Sequence, residues 1–351
     1  AQAVQACLLL LHVAVASADM QQVLDAFKEK DPSLRGVVPF SVVQRLMKDL
    51  AGYDDGAVWS VVQAAGADDS VGNVQYERLI RYIFGPSEEI KPVFYDMAHS
   101  NNAARIRLWL MLKEGVKDKI EHKVVTYADL KEPWFAAVNP LKKVPGLVRS
   151  DGVTVFESYV ILDYLEDKYR MYGPAFKPTN PEDRQLMELI IRCHDLYVAS
   201  PNCTAPGFSH CQGSMYLSYG FHGAARGMDL TTRAAKVEEL WKQLTWLNHQ
   251  IVGPFLVGSQ LTLADFTWFP TTIFMEFMLS RVFGWPDIFR ETTGPFPALA
   301  TWWLQISKLP AFSFVRQEIY GFWEEKEMQG QFKHIIDEVA ADTSGLKFKY
   351  P

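Results

Sequence analysis

The chain has 351 residues, of which 48% are hydrophobic, and it carries a formal net charge of −6. This length suits two or three domains, and the apolar content excludes a globally disordered chain. Acidic and basic residues are mixed along the sequence, which excludes a nucleic-acid-binding protein with a basic face.

An apolar run from Cys7 to Ala16 stands near the N-terminus. It is far shorter than the ~20 residues of a membrane-spanning helix, and no basic segment precedes it as in a secretory signal. We therefore expect a short apolar helix that docks on the protein or on a partner, with a targeting remnant as the alternative. The four cysteines form no CxxC pair, which favours an intracellular setting, either cytoplasmic or organellar, with the chloroplast as one option.

Residues 1–88 are predicted to form a small helical domain, with apolar residues at helical spacing in 20–30, 40–50, 55–65 and 76–84. Gly36 and Gly72 interrupt this pattern, each two positions before a valine, and the arrangement resembles an EF-hand pair. With each glycine at the sixth loop position, the twelfth is Val42 or Arg78 instead of the glutamate that chelates calcium. The resemblance implies a degenerate pair without calcium, whose apolar groove receives a helix of this chain or of a protein partner.

At Pro92 the pattern changes to a two-layer α/β domain over 91–172, in the order β-α-β-α-β-β-α. Strands are predicted at 92–95, 122–125, 146–148 and 153–156, with an Asp-Gly turn between the last two. Helices are predicted at 103–114 and 158–169. Strand signals largely stop after residue 180, and helices at 182–199, 231–250, 264–279 and 296–309 indicate an all-helical domain over 180–325. A charged amphipathic stretch at 323–341 leads into a helical extension and tail, 326–351.

One candidate ligand-binding segment is Asn139-Pro-Leu-Lys-Lys-Val-Pro-Gly-Leu147. Pro145 begins a strand, where its missing N–H is not needed. An ordinary trans proline at a loop end is the simpler interpretation. If the Val144–Pro145 bond is cis, as in thioredoxin-like domains, the N–H and C=O of Val144 face outward and can pair with an extended peptide ligand.

A second candidate segment is Phe156-Glu157-Ser158, directly before a predicted helix. The hydroxyl and N–H of Ser158 at a helix start suit a carboxylate, and Glu157 suits an ammonium group. A γ-glutamyl group presents both charges. A simple helix N-cap is the alternative interpretation.

Together, NPLKKVPGL and VFESYVILDYLEDKY resemble the glutathione-site signature of soluble glutathione transferases, of the serine-type, zeta- and omega-like classes. GSQLTLADF resembles the buried capping motif of the same family, in which Asp265 reaches back to Thr262. The resemblance extends from about Val93 to Trp323. It implies a thioredoxin-like domain that binds glutathione as co-substrate, a helical C-terminal domain, no metal, and activation of the glutathione thiol for attack on an unknown electrophile.

Glutathione transfer requires a thiolate, whereas a free thiol titrates near ~8.5. In the resembled family a residue near the N-terminus of the first helix stabilises this anion. Aligned on Arg105-Ile-Arg107, Ser100 takes that position and would donate a hydrogen bond to the sulfur. Tyr95, at the end of the first strand, is the rival for this role.

Lys131 resembles the basic residue that binds the glycine carboxylate of glutathione in some classes, and Lys143 is a second candidate. A solvated surface lysine is the alternative for Lys131. A mixed cluster of cysteines and histidines lacks the spacing of a zinc site; its members are His194, Cys203, His210, Cys211 and His222.

A competing function is a non-catalytic accessory or scaffold subunit, and the expected assembly is a homodimer or a larger complex.

Overall fold

The computed structural model describes residues 20–33, 35–51, 55–69, 71–84, 91–199, 215 and 228–350. The chain divides into two units, one up to residue 90 and one from residue 91. The apolar helix expected at Cys7–Ala16 lies outside the described residues. Within the described ranges, none of the helices combines the length and the apolar character needed to span a bilayer.

The first unit repeats a helix–loop–strand–helix arrangement. Its elements are α1 (Met20–Glu29), β1 (Val37–Pro39), α2 (Phe40–Ala51), α3 (Asp55–Ala64), β2 (Asn73–Gln75) and α4 (Tyr76–Phe84). The two short strands pair antiparallel, with Val38 opposite Val74. Both valines are buried in one apolar core with Phe27. Each strand follows a glycine with positive φ, 75° at Gly36 and 85° at Gly72, a conformation that favours glycine.

Donors of the chain itself surround the acidic side chains of both loops. Asp31 is buried and accepts hydrogen bonds from the Ser33 hydroxyl and the Gly36 N–H at 2.8 Å each. The Tyr76 hydroxyl donates to the same carboxylate at 3.3 Å. Asp69 accepts from groups of its own loop in the same way. These hydrogen bonds stabilise the conformation of both loops, and the relationship to EF-hand proteins stays a prediction.

The second unit begins with a four-stranded mixed sheet. Its strands are β3 (Val93–Asp96), β4 (Glu121–Val124), β5 (Gly146–Val148) and β6 (Thr154–Phe156), in the order β4-β3-β5-β6. Strand β3 runs parallel to β4 and antiparallel to β5, and β5 runs antiparallel to β6. Three helices complete the predicted β-α-β-α-β-β-α order: α5 (Asn101–Leu112), α6 (Pro133–Val138) and α7 (Ser158–Lys168).

Alternation along β3 separates the two layers around this sheet, because successive strand residues point to opposite faces. Phe94 is fully buried in the large core with residues of α5 and α7, such as Trp109 and Ile161. Tyr95 packs on the other face, in a small cluster with Phe135 of α6.

The described residues that follow contain six further α-helices and no strand. They are α8 (Pro181–Cys193), α9 (Leu230–Gln250), α10 (Leu263–Phe283), α11 (Pro297–Ile306), α12 (Pro310–Met328) and α13 (Lys333–Ala340). The helix predicted over 182–199 is α-helical only to Cys193 and continues as a π-helical turn, His194–Val198. At the start of α10, the Asp265 carboxylate accepts the Thr262 N–H at 2.8 Å, as the capping motif predicts.

The stretch predicted as one charged segment over 323–341 is in fact divided between α12 and α13. Helix α12 begins at Pro310, where proline suits the first helical turn because its missing N–H needs no partner there. The chain leaves α12 at Gly330, whose φ of 71° ends the helical path. Residues 310–322 therefore form one long helix together with residues 323–328.

Candidate functional site

The β3–α5 loop positions Ser100 as the N-cap of α5. Its backbone is extended, with φ −77° and ψ 115°, and its side-chain oxygen accepts the Ala103 N–H at 3.2 Å. A hydroxyl that accepts through a lone pair still has its own proton to donate. The Ser100 O–H can therefore donate to an anion in front of α5, where the helix dipole is positive.

Tyr95 has different surroundings. Its ring centroid lies 6.0 Å from that of Trp134 and 6.1 Å from that of Phe135, both in α6. It belongs to the face of the sheet opposite α5, the helix that Ser100 caps. The two candidates for the catalytic hydroxyl thus lie in different layers of the domain.

The Val144–Pro145 peptide bond is cis. The preceding loop is fixed by Asn139, whose amide donates to the Lys143 carbonyl at 2.7 Å and accepts the Leu141 N–H at 2.9 Å. Among the described residues, neither the N–H nor the C=O of Val144 takes part in a loop or turn hydrogen bond. The main chain at Val144 is thus available to a ligand in extended conformation.

Glu157 has a backbone conformation that is rare for a side chain other than glycine, with φ 71° and ψ 113°. Such a conformation costs about 1–3 kcal/mol and is concentrated at functional sites. It directs the chain from β6 into α7, which begins at Ser158. Glu157 is exposed and Ser158 is half-buried, and the N–H of Ser158 has no acceptor inside the helix because it lies in the first turn.

The sheet register brings these segments together. Gly146 pairs with Phe156 in the antiparallel β5–β6 ladder, so the chain enters β5 from Val144 at the same end of the sheet at which it leaves β6 towards Ser158. Gly146 also pairs with Tyr95 of β3, so the loop that carries Ser100 leaves the sheet at this same end. The three segments are far apart in the sequence, and the ladders bring them to one end of the sheet.

Comparison with known proteins identifies the family. Two family models match, the glutathione S-transferase N-terminal domain at residues 99–168 and the glutathione S-transferase C-terminal domain at residues 231–302. Maleylacetoacetate isomerase of Rattus norvegicus is 32% identical over 181 residues, 50% of this chain and 74% of that protein. Glutathione S-transferase 3 of Schizosaccharomyces pombe is 36% identical over 237 residues, 63% of this chain and 86% of that protein.

The chain belongs to the glutathione S-transferase family. Its fold is shared with the Tau-class glutathione S-transferase of mango, Mangifera indica, at a TM-score of 0.51 and 19% identity, over 68% of this chain and 99% of that one. Glutathione transferase F7 of Populus trichocarpa matches at 0.50 and 21% identity, over 65% and 99%. The predicted family, the thioredoxin-like domain and the helical C-terminal domain are confirmed. The relatives' names do not favour a non-catalytic scaffold.

Both lysines considered for the glycine carboxylate of glutathione are exposed. Lys131 ends a short 3-10 turn, Asp129–Lys131, between β4 and α6. Lys143 directly precedes Val144, so it lies at the end of the sheet where the chain enters β5. Their contact with a ligand stays a prediction.

Two residues near Ser100, His99 and Tyr127, belong to no motif recognised in the sequence. The Nε2 atom of His99 and the Tyr127 hydroxyl are 2.7 Å apart, and the His99 ring stacks on Phe322 of α12 with 3.8 Å between centroids. Tyr127 stands four residues before Lys131. Its hydrogen bond to His99 therefore connects the segment that leads to Lys131 with the loop that carries Ser100. The only sequence signal for His99 was its position next to Ser100, and no local motif indicated Tyr127 or Phe322.

Of the cysteine and histidine cluster, only His194 lies within the described residues. Its Nε2 atom is 2.8 Å from the Thr271 hydroxyl, and its Nδ1 atom is 2.9 Å from the Asp195 carboxylate and 3.1 Å from Arg105. The ring is fully buried and joins the π-helical turn to α10 and α5. Within the described part of the chain, no group of three or more His, Cys, Asp or Glu side chains is arranged to hold a metal ion.

Acidification between about pH 6.5 and pH 4 is expected to lower the free energy of unfolding. Burial, reinforced by a nearby arginine, lowers the pKa of His99 and that of His194 from 6.5 to about 4. Below pH 6.5 the unfolded chain therefore binds protons that the folded chain does not, and stability falls until the pH reaches the folded pKa. Each histidine contributes on the order of 1–3 kcal/mol to this fall.

Urea unfolding of the wild type and of His99→Phe at pH 7, 5.5 and 4.5 measures the contribution of His99. Phenylalanine keeps a ring against Phe322 but does not titrate, so the variant should lose less stability over this range than the wild type. Carboxylates titrate in both proteins and cancel in the comparison. Identical pH dependences would contradict the lowered pKa of His99.

Proposed function

We propose that this protein is an active glutathione transferase that binds glutathione at the end of the sheet where the Val144 and Ser158 segments meet it. The strand pairings support the proposal, because they bring the start of β5, the end of β6 and the Ser100 loop to this one end of the sheet. In it, Glu157 pairs with the γ-glutamyl ammonium group. Ser158 and the N-terminus of α7 bind the γ-glutamyl carboxylate.

The remaining parts of glutathione follow from this placement. The N–H and C=O of Val144 pair with the cysteinyl main chain, in the manner of an added strand. Lys131 and Lys143 are the candidates for the glycine carboxylate. The cysteinyl sulfur then faces the N-terminus of α5, where the Ser100 hydroxyl donates a hydrogen bond to the thiolate. Tyr95 is the alternative donor.

The reaction begins with loss of the thiol proton to solvent, after which the thiolate electron pair forms a bond to an electrophilic carbon. With an alkyl or aryl halide, halide leaves with the bonding electrons. With a conjugated enone, the thiolate adds and is later expelled, which isomerises a double bond and regenerates glutathione. The second class is included because one relative is named maleylacetoacetate isomerase.

The proposed assembly is a homodimer, and a measurement of the molecular mass in solution tests it.

Glu157→Gln is expected to weaken glutathione binding about 10- to 100-fold, because a hydrogen bond to a charged group is worth about 1.5–3 kcal/mol. The amide keeps the size of the side chain and removes the charge that pairs with the ammonium group. Titration calorimetry with glutathione measures the change, and retention on glutathione-agarose reports it qualitatively.

Glu182→Gln is the matched control, since Glu182 is an exposed glutamate in the first turn of α8. It should bind glutathione as the wild type does. If the wild type neither binds glutathione nor reacts with any halide or enone, the proposed function is wrong. If the wild type binds glutathione and Glu157→Gln binds it equally tightly, the ammonium group pairs with another residue.

A further inference from the structure

Two side chains one turn apart on α12 contact residues on either side of Ser100, one in its loop and one in α5. Phe322 stacks on His99, with ring centroids 3.8 Å apart and planes 6° from parallel. A carboxylate oxygen of Glu318 lies 3.5 Å from Nε of Arg107. Residues four apart share one face of a helix, so α12 presents both side chains together. This helix lies outside the residues matched by the family model of the C-terminal domain, 231–302.

Arg107 transmits the contact from Glu318 to the main chain before Ser100. Its Nη1 atom donates to the Asp96 carboxylate at 2.8 Å and to the Met97 carbonyl at 3.2 Å. Its Nη2 atom donates to the Ala98 carbonyl. One planar guanidinium group thus holds three consecutive residues, and its fixed fork geometry sets their relative positions.

This network is shielded from water, which strengthens its charge interactions. The Arg107 side chain is 6% exposed and that of Asp96 is 1% exposed. Glu318 is 29% exposed, and its carboxylate lies beside the Nε atom of the guanidinium group. On the other side of the loop, the hydrogen bond to Tyr127 at 2.7 Å fixes the edge of the His99 ring. The loop is therefore held by its contacts with Arg107 and by those of His99, and α12 contacts both of these residues.

We propose that Glu318 and Phe322 are positioning residues, which hold the 96–100 loop so that the Ser100 hydroxyl is aimed at the glutathione sulfur. The inference rests on the proposed role of Ser100. A hydrogen bond to the sulfur is sensitive to placement, and an error of about 1 Å in an active site can cost on the order of 10²-fold in rate. In the proposed arrangement, α12 acts through His99 and Arg107 and contacts neither the sulfur nor the electrophile.

Phe322→Ala and Glu318→Gln are each expected to lower kcat by about 10- to 100-fold, with a change in the glutathione KM below about 3-fold. Binding through Glu157 and Ser158 is unaffected, whereas thiolate stabilisation is lost, so the pKa of the bound thiol should rise in both variants. Ultraviolet absorbance of the bound thiolate as a function of pH measures that pKa. Phe314→Ala is the matched control, because Phe314 lies on the same helix and is 50% exposed. It should resemble the wild type.

Amide hydrogen exchange of residues 96–104 in the ligand-free protein gives a readout that needs no activity. Faster exchange in the Phe322 and Glu318 variants than in the Phe314 variant, together with a lower kcat, supports the proposal. Unchanged exchange overturns it, and so does an unchanged kcat in both variants. Glu318→Gln keeps the test decisive if Phe322→Ala fails to fold. If the wild type neither binds glutathione nor turns over, the proposed function fails, and the exchange rates still decide whether α12 holds the loop.

Discussion

Ser100→Ala is expected to lower kcat/KM for glutathione conjugation by about 10²- to 10³-fold at neutral pH, which is the usual effect of removing one donor to a catalytic anion. The glutathione KM should change by less than about 3-fold, since the groups proposed to bind the tripeptide remain. Initial rates with a halide and with an enone, at varied glutathione concentration, measure both parameters.

The expected loss follows from the position of the hydroxyl. Its oxygen accepts the Ala103 N–H at 3.2 Å, which holds the hydroxyl at the N-terminus of α5 and leaves its proton free to be donated. Without the donor, the bound thiol should titrate nearer the ~8.5 of a free thiol, so only a few per cent is thiolate at pH 7. The rate profile of the variant should therefore move to higher pH, and part of the lost activity should return at pH 9.

Loss of the cap complicates the Ser100 variant, because alanine at an N-cap costs about 1 kcal/mol of stability. Asn180→Ala removes a comparable cap, since the Asn180 side chain accepts the Glu182 N–H at 2.9 Å at the start of α8. That variant should be equally destabilised and fully active. Tyr95→Phe should change kcat less than about 2-fold, because its ring lies in the α6 layer. A 10²-fold loss in Tyr95→Phe with an active Ser100→Ala would reverse the assignment.

Short-range chemistry explains what the sequence made predictable. Glu157 and Ser158 are adjacent, and the capping contact between Thr262 and Asp265 spans three positions, so the spacing of both pairs is visible in the sequence. The order of strands and helices from Pro92 onwards follows from local periodicity in the same way. Family membership rests on these local patterns, and the comparisons confirm it.

The unpredicted features depend on contacts between distant parts of the chain. Nothing in the letters around Phe322 indicates that its ring lies on His99, and the pairing of Glu318 with Arg107 depends on how α12 packs against α5. The positive φ of Glu157 was also hidden, because the sequence places no glycine there. Local propensity cannot reveal a conformation that the surrounding sheet and helix impose.

Asp265→Ala is expected to lower the free energy of unfolding by about 3–5 kcal/mol, because several buried donors lose the acceptor that they share. The Asp265 carboxylate is fully buried and accepts the Leu256 N–H at 3.0 Å, the Thr262 N–H at 2.8 Å and the Trp302 indole N–H at 2.9 Å. Alanine leaves these buried donors without their acceptor, and each costs about 1–3 kcal/mol when unsatisfied. Thermal unfolding should show a fall in Tm on the order of 10 °C.

The contrast with Asp229→Ala isolates burial as the cause. Asp229 likewise accepts a hydrogen bond at a helix start, from the Thr232 N–H at 2.9 Å as the N-cap of α9, but it is exposed to solvent. Water replaces the lost acceptor there, so the cost should be about 1 kcal/mol. Equal losses in the two variants would contradict the assigned role of Asp265. Because Asp265 lies in the helical part and outside the proposed glutathione site, the fraction of Asp265→Ala that remains folded should bind glutathione as tightly as the wild type, and this separates stability from ligand recognition.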